Sequence, residues 1–161
     1  MTRLRIGHGF DVHRLVAGRP LKLGGIEVPH GRGLEGHSDG DCAIHAVCDA
    51  LLGALGAGDM GRHFPSREPR WRGVASRVFL EETARLVREA HYRLGNVDVT
   101  LIAQEPVLAP HLDPMRAAIA EVLEVDPEVV SVKAKSTDHL GALGRGEGIA
   151  ALATALLLGD E

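Results

Sequence analysis

The chain has 161 residues, enough to bury a sizeable core as a single domain spanning 1–161, and its two cysteines do not make a disulfide framework. Its formal net charge of −4 comes from charges of both signs spread along the sequence, which argues against a nucleic-acid-binding arm or a polybasic membrane patch, so an anionic ligand has to be met by local groups. No apolar run is long enough to span a bilayer and the start, Met1 to Arg5, lacks the apolar stretch of a signal peptide, so a cytoplasmic protein with no membrane and no nucleic-acid partner is expected.

Leu4 to Phe10 alternates as a strand does, and the alternation runs into Asp11 and His13, which then project to one face. Two ligands on a strand edge and a third from a neighbouring helix is a common way to hold zinc; Asp-x-His alone reads rather as a capping acid beside a surface histidine, and only its pairing with the His45 stripe favours the metal. Leu21 to Pro29 has the pattern of a hairpin turning at Gly24-Gly25. Next comes the densest chemistry in the chain, His37-Ser38-Asp39-Gly40-Asp41 leading into a helix with Ser38 or Asp39 as its N-cap. Asp41, His45 and Asp49 recur every four residues, so they share one helical stripe with about 40° of drift per step. An imidazole between two carboxylates is a metal ligand with outer partners, a general acid or base, or simply the polar face of a helix. Asp49 is the expected outer partner of an imidazole. Cys42 and Cys48, six apart on this helix, point to different sides and are read as small buried hydrophobes.

Gly53 to Gly61 is a glycine-rich exit, and residues 62–73, with four arginines and two prolines, read as an exposed loop of the kind that covers sites. Apolar residues at helical spacing predict a helix over 76–90, a strand follows at Val97 to Ala103, and Asp113-Pro114 signals an N-cap with proline at the first helical position. Val130 to Ser136 alternates as a strand whose end carries Lys135, Ser136, Thr137 and Asp138: a phosphate and cation site, or an ordinary capped loop. Gly144 to Gly148 is a tight turn holding Arg145 and Glu147. For Ile149 to Leu158 the Ala and Leu content favours a helix.

Gly7-His8-Gly9-Phe10-Asp11-Val12-His13, His37 to Asp41, His45, Gly58-Asp59-Met60-Gly61, Phe64-Pro65, Gly95 to Asp98 and Gly144 to Ala150 together resemble the 2-C-methyl-D-erythritol 2,4-cyclodiphosphate synthase family, in order and along essentially the whole chain. The resemblance implies an α+β fold, a mixed four-stranded sheet with helices packed on one face and a small hairpin, assembled as a cyclic homotrimer with active sites between subunits. It implies conversion of 4-diphosphocytidyl-2-C-methyl-D-erythritol 2-phosphate to the cyclic diphosphate with release of CMP. It makes Asp11, His13 and His45 the ligands of one zinc, close to the substrate, and Asp138 a ligand of magnesium or manganese carried with the substrate diphosphate. His37 and Ser136 take catalytic positions; His37 and Ser38 meet phosphates, and Asp59, Gly61 and Phe64 fall where the methylerythritol part is held. Ala103, Pro106, Ala109, Ala134, Lys135, Ser136, Thr137, Asp138, Ala142 and Arg145 complete the substrate contacts. The neighbouring subunit supplies the stretches Ala103 to Ala109 and Ala134 to Asp138. Here Asp138 stands where the family usually has Glu, Ser136 where Thr is usual, Lys135 in place of a small hydroxyl residue and Glu68 in place of an Asp. The resemblance also turns Ile149 to Leu158 into a strand buried on both faces. Two rival readings are a non-catalytic trimeric metal- or nucleotide-binding protein and a zinc hydrolase using Asp41 or Asp49 as base.

Overall fold

The computed structural model describes residues 3–159. Strand β1 (Leu4–Ala17) is followed by the small strands β2 (Leu21–Leu23), β3 (Ile26–Val28) and β4 (Arg32–Leu34), then helix α1 (Cys42–Leu55) and the single turn α2 (Met60–His63). Helix α3 (Ser76–Glu89), strand β5 (Tyr92–Ile102), helix α4 (Leu112–Leu123), strand β6 (Val130–Lys135), the turn α5 (Gly141–Gly144) and strand β7 (Gly148–Gly159) complete the chain. The main sheet has five strands in the order β4-β1-β7-β5-β6, and β2 with β3 forms a separate two-stranded sheet. The four strands expected for the main sheet are thus joined by a fifth, because Arg32 to Leu34 pairs with Leu15 to Ala17. The sheet is mixed: β7 runs antiparallel to both neighbours, β1 and β5, while β5 and β6 are parallel.

Ile149 to Leu158 is the middle of that sheet. Position overrides propensity here: a segment hydrogen-bonded along both edges has its backbone groups satisfied by β1 and β5, and the helical preference of Ala and Leu, a few tenths of a kcal/mol per residue, does not compete. One face of β7 (Ile149, Ala151, Ala153, Ala155, Leu157) is buried against the helices. Within one chain the other face is only half covered, with Leu152 and Leu156 half-buried and Thr154 exposed, so the expected burial of both faces is half met. The same open face carries Leu4, Ile6, Phe10 and Val12, which are 63%, 73%, 54% and 49% exposed.

What seats α1 on the sheet is the absence of side chains at Gly7 and Gly9. A Cβ on Gly7 would lie 1.8 Å from the Ala50 carbonyl oxygen, and one on Gly9 would lie 1.9 Å from that of Ala46. The helix therefore lies directly on β1, with Ala46 and Ala50 over the two glycines. Two strand residues rise about 6.8 Å and four helical residues about 6 Å, so the ladder continues in step. His45, one residue before Ala46 on the helix, is thereby carried to the strand positions beyond Gly9, where its Nδ1 lies 2.9 Å from Asp11 Oδ2.

Asp41, not Ser38 or Asp39, caps α1. Its carboxylate, 1% exposed, accepts from Ile44 N at 3.1 Å and from Gly24 N and Gly25 N at 2.9 and 2.7 Å, so it pins the β2–β3 turn to the helix start. Gly24 and Gly25 both have positive φ, as a two-residue hairpin turn of this hand requires. Helix α3 covers the residues expected of it to within one position, whereas α4 begins at Leu112, two residues before its expected cap would allow, leaving Asp113 as a first-turn acid that suits the helix dipole. Strand β5 begins at Tyr92, five residues earlier than expected, and passes through a register irregularity between Leu94 and Asn96. Cys42 and Cys48 are buried and unbridged, as expected.

Candidate metal centre and active site

Strand β1 offers Asp11 and His13 on its helix-facing side and α1 offers His45. His13 Nε2 lies 2.8 Å from Asp11 Oδ2, His45 Nδ1 lies 2.9 Å from the same oxygen, and the two ring nitrogens are 3.3 Å apart. Two imidazoles and a carboxylate thus aim one donor each at a common point, with all three atoms within 4.8 Å of one another. Donors bound to one tetrahedral zinc at about 2.0–2.1 Å stand about 3.3 Å apart, so the set fits such an ion and leaves a fourth position open.

Each ring is fixed from behind. His13 Nδ1 bonds the Glu35 carbonyl oxygen, which can only accept, so Nε2 is the nitrogen left for a metal. His45 Nε2 lies 2.8 Å from Ser76 Oγ and 3.3 Å from Ser38 Oγ, while the Ser76 hydroxyl itself donates to Asp39. The electrostatics favour a cation at the point of convergence. Burial by itself would raise the Asp11 carboxyl, but hydrogen bonds from His13 and His45 outweigh it and hold Asp11 well below the usual carboxylate range. Burial would likewise lower His13, yet its bond to Asp11 leaves it above the ordinary imidazole value.

The other stripe residues do different work from that expected. Asp49 does not orient an imidazole: its Oδ1 accepts from Met60 N at 2.8 Å and so starts α2, with burial raising its carboxyl and that amide bond opposing the rise. Asp41 is saturated by three backbone amides and is turned into the protein. The outer partners of the site are instead Glu35, Ser76 and Asp39. Only Asp39 lay in a stretch the sequence marks as chemical; Ser76 showed itself merely as the first residue of a helix.

Over the metal triad lies a cavity of about 140 Å³ lined by His13, His37, Ser38, His45, Met60, Phe64, Ser66, Trp71 and Phe79. His37 is exposed at its rim, and Ser38 is buried with its hydroxyl toward His45. Phe64 and Trp71, from the loop expected to cover the site, and Phe79, from α3, pack mutually edge to face or tilted, with centroids 4.9 to 5.6 Å apart, and form one wall of the cavity. Asp59 caps α2 through Arg62 N at 3.0 Å, and Gly61 lies within that turn. A larger cavity of about 390 Å³, near the start of β5 and lined by Leu51, Arg88, Arg93 and Leu123 among others, includes none of these residues.

The remaining candidates gather elsewhere. Strand pairing puts Asp11, Ala151, Leu101 and Ala134 in one row across the sheet, three strand spacings or about 14 Å from first to last. The next row, Val12, Ala150, Ile102 and Lys135, belongs to the opposite face, so Lys135 points away from the side that holds the triad. Beyond β6 the loop side chains make short-range bonds, Ser136 Oγ to Asp138 Oδ1 at 3.3 Å and Thr137 Oγ1 to the Leu140 carbonyl at 2.8 Å, while the backbone His139 N donates across to Gln104 Oε1 at 3.0 Å. Ala103 N donates to the Lys135 carbonyl at 2.9 Å and ties the β5 end to this loop; Pro106 and Ala109 lie on the chain that leaves β5, and Ala142 and Arg145 on α5 and the residue after it. Arg145 Nε donates to Glu147 Oε1 at 2.6 Å, the opposite-charge pair expected of that turn. In the single chain these residues are not brought to the metal triad.

An α+β fold in which two histidines and one carboxylate converge where a glycine-bared strand meets a helix defines a protein with a candidate metal site. Residues 4–158 match the model of the YgbB family, and the chain belongs to that family. It is 57% identical over 155 residues to the 2-C-methyl-D-erythritol 2,4-cyclodiphosphate synthase of Azotobacter vinelandii, covering 96% of this chain and 99% of that one. It is 55% identical to the bifunctional enzyme IspD/IspF of Erythrobacter litoralis, of whose length it spans 40%. Among solved structures, the CDP complex of IspF from Plasmodium falciparum superposes with a TM-score of 0.87 at 34% identity, covering 98% of this chain and 97% of that one.

Proposed function

We propose that the chain is a lyase of isoprenoid precursor biosynthesis, a 2-C-methyl-D-erythritol 2,4-cyclodiphosphate synthase, which closes 4-diphosphocytidyl-2-C-methyl-D-erythritol 2-phosphate on itself and releases CMP. The observation that carries the reading is the convergence of Asp11, His13 and His45 in a chain that matches relatives of this name from end to end. The 2-phosphate of the substrate attacks the β-phosphorus of its own diphosphate, so the protein needs no nucleophile. It must bend a flexible polyanion until two phosphates meet and must offset the charge of the transferring group. Zinc held by Asp11, His13 and His45, with magnesium or manganese near Asp138, supplies the positive charge when bound. His37 at the cavity rim orients the 2-phosphate, Ser38 assists it, and Asp59, Gly61 and Phe64 border the methylerythritol part. Ser136 and Lys135 meet the diphosphate, and Ala103, Pro106, Ala109, Ala134, Thr137, Ala142 and Arg145 frame the cytidine side. The CDP complex of a relative supports a cytidine-diphosphate-linked substrate.

The working form is a cyclic homotrimer, located in the cytoplasm, with 1–161 as a single domain. Two features support the trimer: the apolar open face of the sheet, and the separation of Lys135 from the triad, which a neighbouring copy bridges by bringing its own strand ends to the metal. None of the described helices is long and apolar enough to cross a membrane. The zinc hydrolase reading loses its bases, since Asp41 and Asp49 are engaged by backbone amides. Phosphorus NMR of the substrate with protein, zinc and magnesium tests the proposal: a cyclic diphosphate and CMP are expected, an acyclic product with separate 2- and 4-phosphates would return the hydrolase, and no turnover would leave a binding protein.

A further inference from the structure

His45 ligates through Nδ1 only if its proton sits on Nε2, and that choice is made behind the ring. Asp39 receives both donors of one residue, the Ser76 backbone N–H on Oδ2 at 2.9 Å and the Ser76 hydroxyl on Oδ1. A carboxylate only accepts. The Ser76 hydroxyl must therefore direct its proton to Asp39 and turn its lone pairs to His45 Nε2, 2.8 Å away. Nε2 then has to carry the proton, so Nδ1, which converges with Asp11 Oδ2 and His13 Nε2, is the nitrogen left to offer a lone pair to a bound metal. Ser76 is fully buried, so no bulk water competes for its hydroxyl. Ser38 Oγ, at 3.3 Å from Nε2, carries no such commitment, because it is held only by Gly40 N at 3.4 Å.

We propose that Asp39 and Ser76 are positioning residues that hold His45 in the tautomer that binds metal. The proposal rests on the metal reading above. A merely structural role makes a different forecast, and Asp39→Asn separates the two. Asparagine still accepts the Ser76 N–H through its oxygen, so it keeps the backbone tie at the start of α3. With the oxygen so placed, its NH₂ group faces Ser76 Oγ and donates to it. The Ser76 proton then has only His45 Nε2 to go to, which moves the ring proton onto Nδ1, the ligating atom.

The experiment is zinc titration of the metal-free full chain against a competing chelator, with folding followed by circular dichroism and thermal melting. Outer partners of this kind are worth about 10- to 100-fold in metal affinity. Asp39→Asn is expected to weaken zinc binding by about 100-fold with an unchanged spectrum and melting point. Ser76→Ala, where Ser38 is left as a weaker partner, is expected to lose about 10-fold. If Asp39→Asn fails to fold, Ser76→Ala decides alone. Zinc affinity equal to wild type in the folded variants overturns the positioning role while leaving the metal site standing, whereas a wild-type chain that takes up no zinc overturns both.

Discussion

The two polar regions at this end of the sheet are built in opposite ways. Around Asp11, His13 and His45 every ring nitrogen and carboxylate has a partner, the partners are themselves held, and glycines let a helix close over the strand. Around Ser136, Thr137 and Asp138 the side chains are exposed or half-buried and bond only to their own loop. A site fixed by long-range contacts within one chain is preorganised before anything binds; a strand end held by local bonds takes its working surroundings from a ligand or a neighbour. Substitutions separate the two regions, from the largest expected effect to the smallest.

His45→Ala removes the helix-borne ligand and should lose zinc and CMP release together while the fold persists. Full zinc occupancy by elemental analysis in this variant would remove His45 from the metal centre. Asp138→Ala should be equally inactive but keep its zinc, because its loop is not part of the triad. Unfolding the two variants together and refolding them as random mixed trimers should then restore activity, since a chain with an intact metal half can precede one with an intact strand-end half in about a quarter of sites. Recovery of nothing, with mixed trimers proved by mass spectrometry, would place the whole site within one chain.

Gly9→Ala probes the frame that carries the triad. Its methyl would meet the Ala46 carbonyl at 1.9 Å, so α1 must lift, at a cost of about 1–3 kcal/mol in a denaturant titration. Zinc affinity should fall with it, because lifting α1 draws His45 away from Asp11; unchanged affinity would mean that the triad tolerates helix displacement. Acid should act on the same region in a definite direction. The metal requires unprotonated rings, and His13 lies above its ordinary value of about 6.5, so zinc should be released as pH falls through the neutral range, earlier than an unperturbed histidine would dictate. Equilibrium dialysis between pH 8 and 5, in steps of about half a unit around the imidazole range, measures it. Asp49→Asn should be the mildest: its carboxylate serves Met60 N, an amide oxygen can take that bond, and the loss should stay below about 1 kcal/mol with zinc affinity unmoved. A loss of zinc affinity in this variant would restore Asp49 as an outer partner of the site.

The candidate triad is legible in the sequence because it leaves a periodic mark. Asp11 and His13 alternate on a strand, His45 recurs on a helical stripe, and three residues of metal-binding type are conspicuous. The hairpin, the helix at 76–90 and the strand at Val130 follow from local patterns for the same reason: side-chain spacing and turn chemistry act over a few residues. Family resemblance, rather than composition, anticipated that Ile149 to Leu158 is a strand. What tertiary structure decided is where each hydrogen bond ends. Asp41 and Asp49 occupy the same stripe as His45 and carry equal chemical promise, yet one is consumed by the Gly24-Gly25 turn and the other by Met60, while Ser76, distant in sequence and unremarked, holds the ring of a ligand. Helical periodicity gives the direction in which a side chain leaves its own backbone, but the donor it meets belongs to another segment, and only the packing of α1 on the bare glycines of β1 brings the two together.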